Sequence, residues 1–188
     1  MRARSAWLLT PVIAAACAPA AARVYMTQDE ALRLAFPDPQ TRERRTLYLD
    51  DAQAEKAATL AGAPVDTRVV PYYVGSSVGG VTGYAFFDTH LVRTLPETVM
   101  VRLTPAGAIS AIDILSFDEP EDYKVNPRWL DQFKGRRGDD PARLPAGIRA
   151  MTGATLSARA VTDAARRVLA LYRLYVERPA ASAPARTP

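Results

Sequence analysis

The stretch Met151-Thr152-Gly153-Ala154-Thr155 stands directly ahead of a long amphipathic run. Gly153 lets a backbone approach a ligand closely, and Ala154 keeps the volume small. Thr152 and Thr155 supply hydroxyls, and Leu156 and Ser157 follow them. A helix that starts here presents free N–H groups and the positive end of its dipole, which suits a phosphate or phosphoester. Plain helix capping uses the same residue types, and the local chemistry alone favours capping.

Other reactive side chains are sparse. His90 is the single histidine and has no Ser or Cys nucleophile in pattern with it, so it reads as a surface or internally satisfied residue. No C-x-x-C-H haem pattern and no metal-ligand spacing is present. The acidic run Asp118, Glu119, Glu121, Asp122 reads as a solvated loop rather than a cation site. Cys17 is the single cysteine, so no intramolecular disulfide forms.

Cys17 also lies in a leader. Arg2 and Arg4 precede the apolar run 6–22, and Ala20-Ala21-Ala22 forms an A-x-A cleavage site. Residues 1–22 therefore read as a signal peptide and the protein as periplasmic or otherwise extracytoplasmic. Ile13 to Cys17 loosely resembles a lipid-attachment site, which would tether the chain to a membrane; the alanine triplet favours cleavage instead. The full chain holds 24 basic and 20 acidic residues, a net charge of +4. Without Arg2 and Arg4 the balance is 22 against 20, and no basic stripe interleaves with aromatics, which argues against nucleic acid.

The elements around the turn can be read from pattern. Thr27 to Glu30 is a capping box, followed by a short helix with Leu32, Leu34 and Phe36 apolar and Pro37 at its end. Asp50 to Gln53 starts a second helix that closes at Gly62. Residues 23–68 thus read as an N-terminal helical region. Segments 67–75 and 81–94 are rich in β-branched and aromatic residues, with Pro71 expected at an edge or strand start. Residues 97–117 read as a hairpin turning at Pro105-Ala106-Gly107. A proline- and glycine-broken stretch, 118–149, contains a short helical piece with Trp129, Leu130 and Phe133 on neighbouring faces, of which Trp129 and Phe133 read as core. The last helix starts near Thr155. Its apolar stripe includes Val161, Ala164, Ala165, Val168, Tyr172, Tyr175 and Val176, with Arg159, Asp163, Arg166, Arg167 and Arg173 on the other face. Pro179 stops it, and 179–188 reads as a disordered tail. The fold class is α+β: a twisted, mostly antiparallel sheet flanked by helices, with a long C-terminal helix.

Thr152-Gly153-Ala154-Thr155 resembles the [S/T]-G-A-T flavinylation motif of the FMN-binding domain family, which includes soluble domains of the Rnf and Na+-translocating NADH:quinone oxidoreductase complexes. Residues 83–123 resemble the strand region of that family, and Trp129 to Gly135 its W-x-x-Q-F-x-G segment. The resemblance implies an FMN-binding domain over 69–178, with FMN joined through its phosphate to Thr155 by a flavin transferase. It places Thr152, Gly153, Ala154, Leu156 and Ser157 around the phosphate, and Glu119, Pro120 and Tyr123 near the isoalloxazine; Tyr123 could equally pack on Trp129. The family motif opens with Asp three residues ahead, where this chain has Arg149, a charge that favours phosphate. The implied function is an exported electron-transfer flavoprotein, a carrier more than a stand-alone enzyme, exchanging electrons with membrane or periplasmic redox proteins such as cytochromes. A flavin-free assembly module and a non-covalent FMN reductase remain the alternatives.

Overall fold

A computed structural model of the chain describes residues 23–37, 41–138 and 141–177. The leader, Cys17, Pro179 and the tail lie outside those residues. Six strands form one sheet in the order β1-β6-β5-β4-β3-β2, and every neighbouring pair is antiparallel. The strands are β1 (Arg23–Val24), β2 (Thr41–Tyr48), β3 (Val69–Ser77), β4 (Gly80–Leu91), β5 (Pro96–Leu103) and β6 (Ile109–Phe117). The helices are α1 (Gln28–Ala35), α2 (Asp51–Ala61), the one-turn α3 (Pro127–Leu130) and α4 (Thr155–Leu171). This is the expected α+β fold with a long C-terminal helix.

Local chemistry explains most boundaries. Thr27 and Glu30 make both bonds of a capping box at α1, and Asp50 and Gln53 do the same at α2. Gly62 closes α2 in the left-handed region at φ 59°, where only glycine is comfortable. Gly107 turns the β5–β6 hairpin at φ 75°, and a Cβ there would lie 2.3 Å from the Tyr172 ring. Asn126 caps α3, which runs on into a tighter turn over Asp131–Phe133.

The 23–68 region is not helical throughout. β1 pairs with β6, and β2 pairs along its length with β3, so the helices alternate with strands of the common sheet. β2 escapes detection because Thr41 to Arg45 has no apolar alternation: it is an exposed edge strand carrying Arg42, Glu43, Arg44 and Arg45. Charged side chains are what an edge requires, and they erase the pattern that reveals an interior strand. Pro71 lies in β3 between two strands, not at an edge. The β3–β4 ladder nevertheless ends at Tyr72 opposite Phe86, so Pro71 lacks an N–H only where no partner strand needs one. Beyond that pair the strands part around a cavity of about 610 Å³.

The sheet is covered on both faces. α1 buries Ala31, Leu32 and Phe36 against Ala85, Met100 and Leu115. Leu34, the other leucine of this helix, points to solvent. The main core lies on the other face, where Val161, Ala164, Ala165 and Val168 of α4 meet Phe86, Val99, Val101 and Leu103. Burying the valine, leucine and phenylalanine side chains stabilises the fold by about 1.5–3 kcal/mol each relative to exposure. α4 continues as a wider turn over Tyr172–Val176, and Tyr172 packs edge-on against Tyr84 at 5.1 Å. No helix among the described residues is long and apolar enough to cross a membrane.

Candidate functional site

Two regions of α4 carry polar chemistry. The first is its start. Thr155 is the first helical residue and is exposed, and its hydroxyl makes only a 3.4 Å bond to the Met151 carbonyl. Ala154 occupies the cap position, and no side chain caps the helix. Both α1 and α2 have complete capping boxes, so the longest helix is the one whose first-turn N–H groups lack that satisfaction. Neither Thr152 nor Thr155 serves as a cap. The first turn also lacks any acidic side chain, which leaves the positive dipole end uncompensated.

The turn before it is built for close approach. Gly153 adopts φ 85° with open space where a Cβ would be, and Thr152 is exposed beside it. Ala154 and Ser157 are buried and anchor the turn to the body. Ser157 Oγ donates to the Tyr123 carbonyl at 2.5 Å, while Leu156 projects to solvent. Thr155 lines a cleft of about 320 Å³ whose floor is Trp129, Ile148, Met151 and Ala158. Arg149, Arg159, Thr162, Asp163 and Arg166 complete its wall. The Arg149 guanidinium is exposed and has no side-chain partner among the described residues. Residues 149–155 thus combine a hydroxyl, an uncapped helix start, a left-handed glycine and a free cation, a set that suits a phosphoester.

Glu119 and Pro120 line a different cleft, with Arg23, Leu95, Phe117, Asp118 and Glu121. Glu119 is buried there, and its Oε1 accepts from the Thr94 amide at 2.8 Å and the Leu95 amide at 3.0 Å. Those amides hold its carboxyl below the ordinary carboxylate range. The acidic run is therefore not simply a solvated loop. Glu119 ties it to the β4–β5 turn, and Glu121 ties it to Arg23, Tyr25 and Lys124. Tyr123 is joined to α4 through its backbone, and its ring lies under the Arg93 guanidinium at 5.7 Å, not against Trp129. Trp129 packs on Phe133 at 5.2 Å as expected, but it also lines the Thr155 cleft.

Residues 95–170 match the family model described as the FMN-binding domain. Through this stretch the chain is similar to the FMN-binding domain family. The matched segment contains β5, β6, the 118–149 crossing and α4 down to Ala170, so it holds both the Thr155 turn and the Glu119–Tyr123 loop. The chain is also 26% identical, over 136 residues, to a component of the Na(+)-translocating ferredoxin:NAD(+) oxidoreductase complex of Acetobacterium woodii. That similarity covers 63% of this chain and 63% of the length of the relative. No significant match was found among solved structures.

The second polar region lies three turns further along α4, and the sequence does not reveal it. The helical pattern puts Arg167 on the exposed face, yet its Nε and Nη2 donate to Asp88 of β4 at 2.8 and 2.7 Å. His90 bonds Asp88 through Nδ1 at 2.8 Å and Glu97 of β5 through Nε2 at 3.1 Å. Glu97 is fully buried, directly opposite His90 in the β4–β5 ladder. Burial pulls the His90 pKa down, but its bonds to Asp88 and Glu97 override this and leave it at about 9. Burial likewise raises Asp88, and Arg167 and His90 bring it down to about 2. His90 is thus an internally satisfied residue and carries charge at neutral pH. Spacing holds the one available signal: Arg167 lies three residues after Ala164 and four before Leu171, at the margin of the buried stripe.

Proposed function

We propose that this protein is an exported electron-transfer flavoprotein that carries FMN joined through its phosphate to Thr155. The observation that carries this reading is the uncapped start of α4 with the exposed Thr155 hydroxyl at the end of Thr-Gly-Ala-Thr, inside the segment matched to the FMN-binding domain. Ester formation joins Thr155 Oγ1 to the phosphorus with net loss of one water and no electron transfer. The first-turn N–H groups of α4 and Arg149, one of three arginines lining the same cleft, would hold the phosphate charge. Trp129, Ile148 and Met151 give the same cleft an apolar lining. FMN, when bound, supplies the redox chemistry; the chain holds and orients it.

The relay role draws on the relative from Acetobacterium woodii, which is named as part of a ferredoxin:NAD(+) oxidoreductase complex. Partners on this reading are a flavin transferase and membrane or periplasmic redox proteins such as cytochromes. Export through the 1–22 leader gives covalent attachment a purpose, because a dissociated cofactor outside the cytoplasm is lost. Full-length protein co-expressed with a flavin transferase should give a denatured gel band with flavin fluorescence. A dark band from a strain that labels a known acceptor contradicts covalent attachment.

A further inference from the structure

The segment that carries Thr155 is held from behind by two side chains. Trp129 Nε1 donates to the Arg149 carbonyl at 2.7 Å, and the Arg149 amide donates to Gln132 Oε1 at 2.8 Å. Gln132 Nε2 closes the arrangement on the Trp129 carbonyl at 3.2 Å. Both polar groups of one peptide residue are thereby satisfied by side chains, much as a neighbouring strand would satisfy them. Arg149 is exposed and belongs to no helix or strand, so water could serve its backbone equally well. What the contacts add is position. The Trp129 ring is buried against Phe133, so its N–H has one direction. Trp129 of α3 and Gln132 of the tighter turn that continues it, three residues apart, reach the same peptide.

Downstream, Ser157 holds the other side of the turn on Tyr123. Residues 150–156 therefore run between two hydrogen-bonded ties, with Ala154 buried between them, and the exposed residues Thr152, Gly153 and Thr155 lie in that span. A span fixed at both ends presents its hydroxyl in few orientations, and an attacking group gains rate from being held in place. Resting on the reading that Thr155 carries the flavin, we propose that Trp129 and Gln132 are positioning residues for the attachment. They fix the Arg149 peptide so that the Thr155 hydroxyl and the Arg149 side chain are presented together at the rim of one cleft. The arrangement also explains why the Trp129–Gly135 segment and the Thr-Gly-Ala-Thr turn go together in this chain: one aligns the other.

The test follows the time course of FMN labelling in the full chain co-expressed with a flavin transferase, read by intact mass, with Tm measured beside it. Gln132→Met removes the acceptor at nearly constant volume and should slow labelling by up to about tenfold, the range of one hydrogen bond. Gln132→Glu keeps an acceptor for the Arg149 amide and should label close to the wild-type rate. Trp129→Phe should slow labelling, whereas Phe133→Leu, which loosens the same packing without touching the contacts to Arg149, should label its folded fraction normally. Wild-type labelling in Gln132→Met, or equal losses in Gln132→Met and Gln132→Glu, overturns the inference while leaving Thr155 as acceptor. If Gln132→Met fails to fold, equal labelling rates in Trp129→Phe and Phe133→Leu overturn it instead. A wild-type chain that takes no flavin overturns the reading of Thr155 and this inference with it.

Discussion

The two polar regions of α4 are opposites. At Thr155 the helix starts without a side-chain cap, beside an exposed hydroxyl and an Arg149 with no side-chain partner among the described residues. Around Arg167, three turns on, a half-buried guanidinium, carboxylate and imidazole are bonded in a chain that ends on the buried Glu97. Polar groups that lack internal partners are available to a ligand; polar groups bonded to one another first serve the fold. On the proposal above, recognition belongs to the first region; cohesion of helix and sheet belongs to the second. It also explains why one helix can serve both. The Asp88–Arg167 pair pins α4 to β4, so the open end is presented from a fixed base.

Several substitutions put that contrast at risk, and Arg167→Met should have the largest effect. It leaves Asp88 buried without its guanidinium and should cost about 3–5 kcal/mol in urea unfolding. Flavin labelling of the folded fraction should be unchanged. An equal stability loss from Arg159→Met, on an exposed side chain at the open end, would dissolve the contrast.

Next in size is the pH dependence. His90 has a folded pKa of about 9, above its unfolded value of about 6.5. Its stabilisation is complete below pH 6.5 and is lost as pH rises through 9, by roughly 3 kcal/mol. Asp88 behaves conversely: its folded pKa of about 2 is depressed, so its contribution is present above its unfolded pKa of about 3.9 and lost as pH falls through 2. Chemical unfolding at stepped pH values should show the alkaline loss in wild type and a flatter profile in His90→Gln.

Gly153→Ala should cost about 1 kcal/mol, from the left-handed backbone alone, since no atom crowds the added methyl. Thr155→Ala should be nearly silent in stability, within about 0.5 kcal/mol, because the side chain is exposed and caps nothing. Both can be read from thermal melts of the flavin-free protein.

How far the sequence carries depends on whether an element's role leaves a local pattern. Capping boxes at Thr27 and Asp50, the Gly62 stop, the Gly107 hairpin turn and the α4 stripe are local devices, and each is where pattern places it. Edge strand β2 is not legible, because its burial is too slight to impose alternation. The Asp88–His90–Arg167 network is not legible either. Its members lie up to 79 residues apart, and an arginine in a helix looks the same whether it faces water or a buried carboxylate. At the site itself, the Thr155 turn is readable from residue types. The bonds from Trp129 and Gln132 are not, since they end on backbone atoms that carry no sequence signature.

Everything proposed for the open end of α4 rests on Thr155 as the point of flavin attachment. Intact masses of wild type and Thr155→Ala, each co-expressed with a flavin transferase, decide it. Wild type should gain one FMN less one water, and Thr155→Ala, folded and equally stable, should gain nothing. A Thr155→Ala protein that gains the same mass, or an unlabelled wild type, would contradict it.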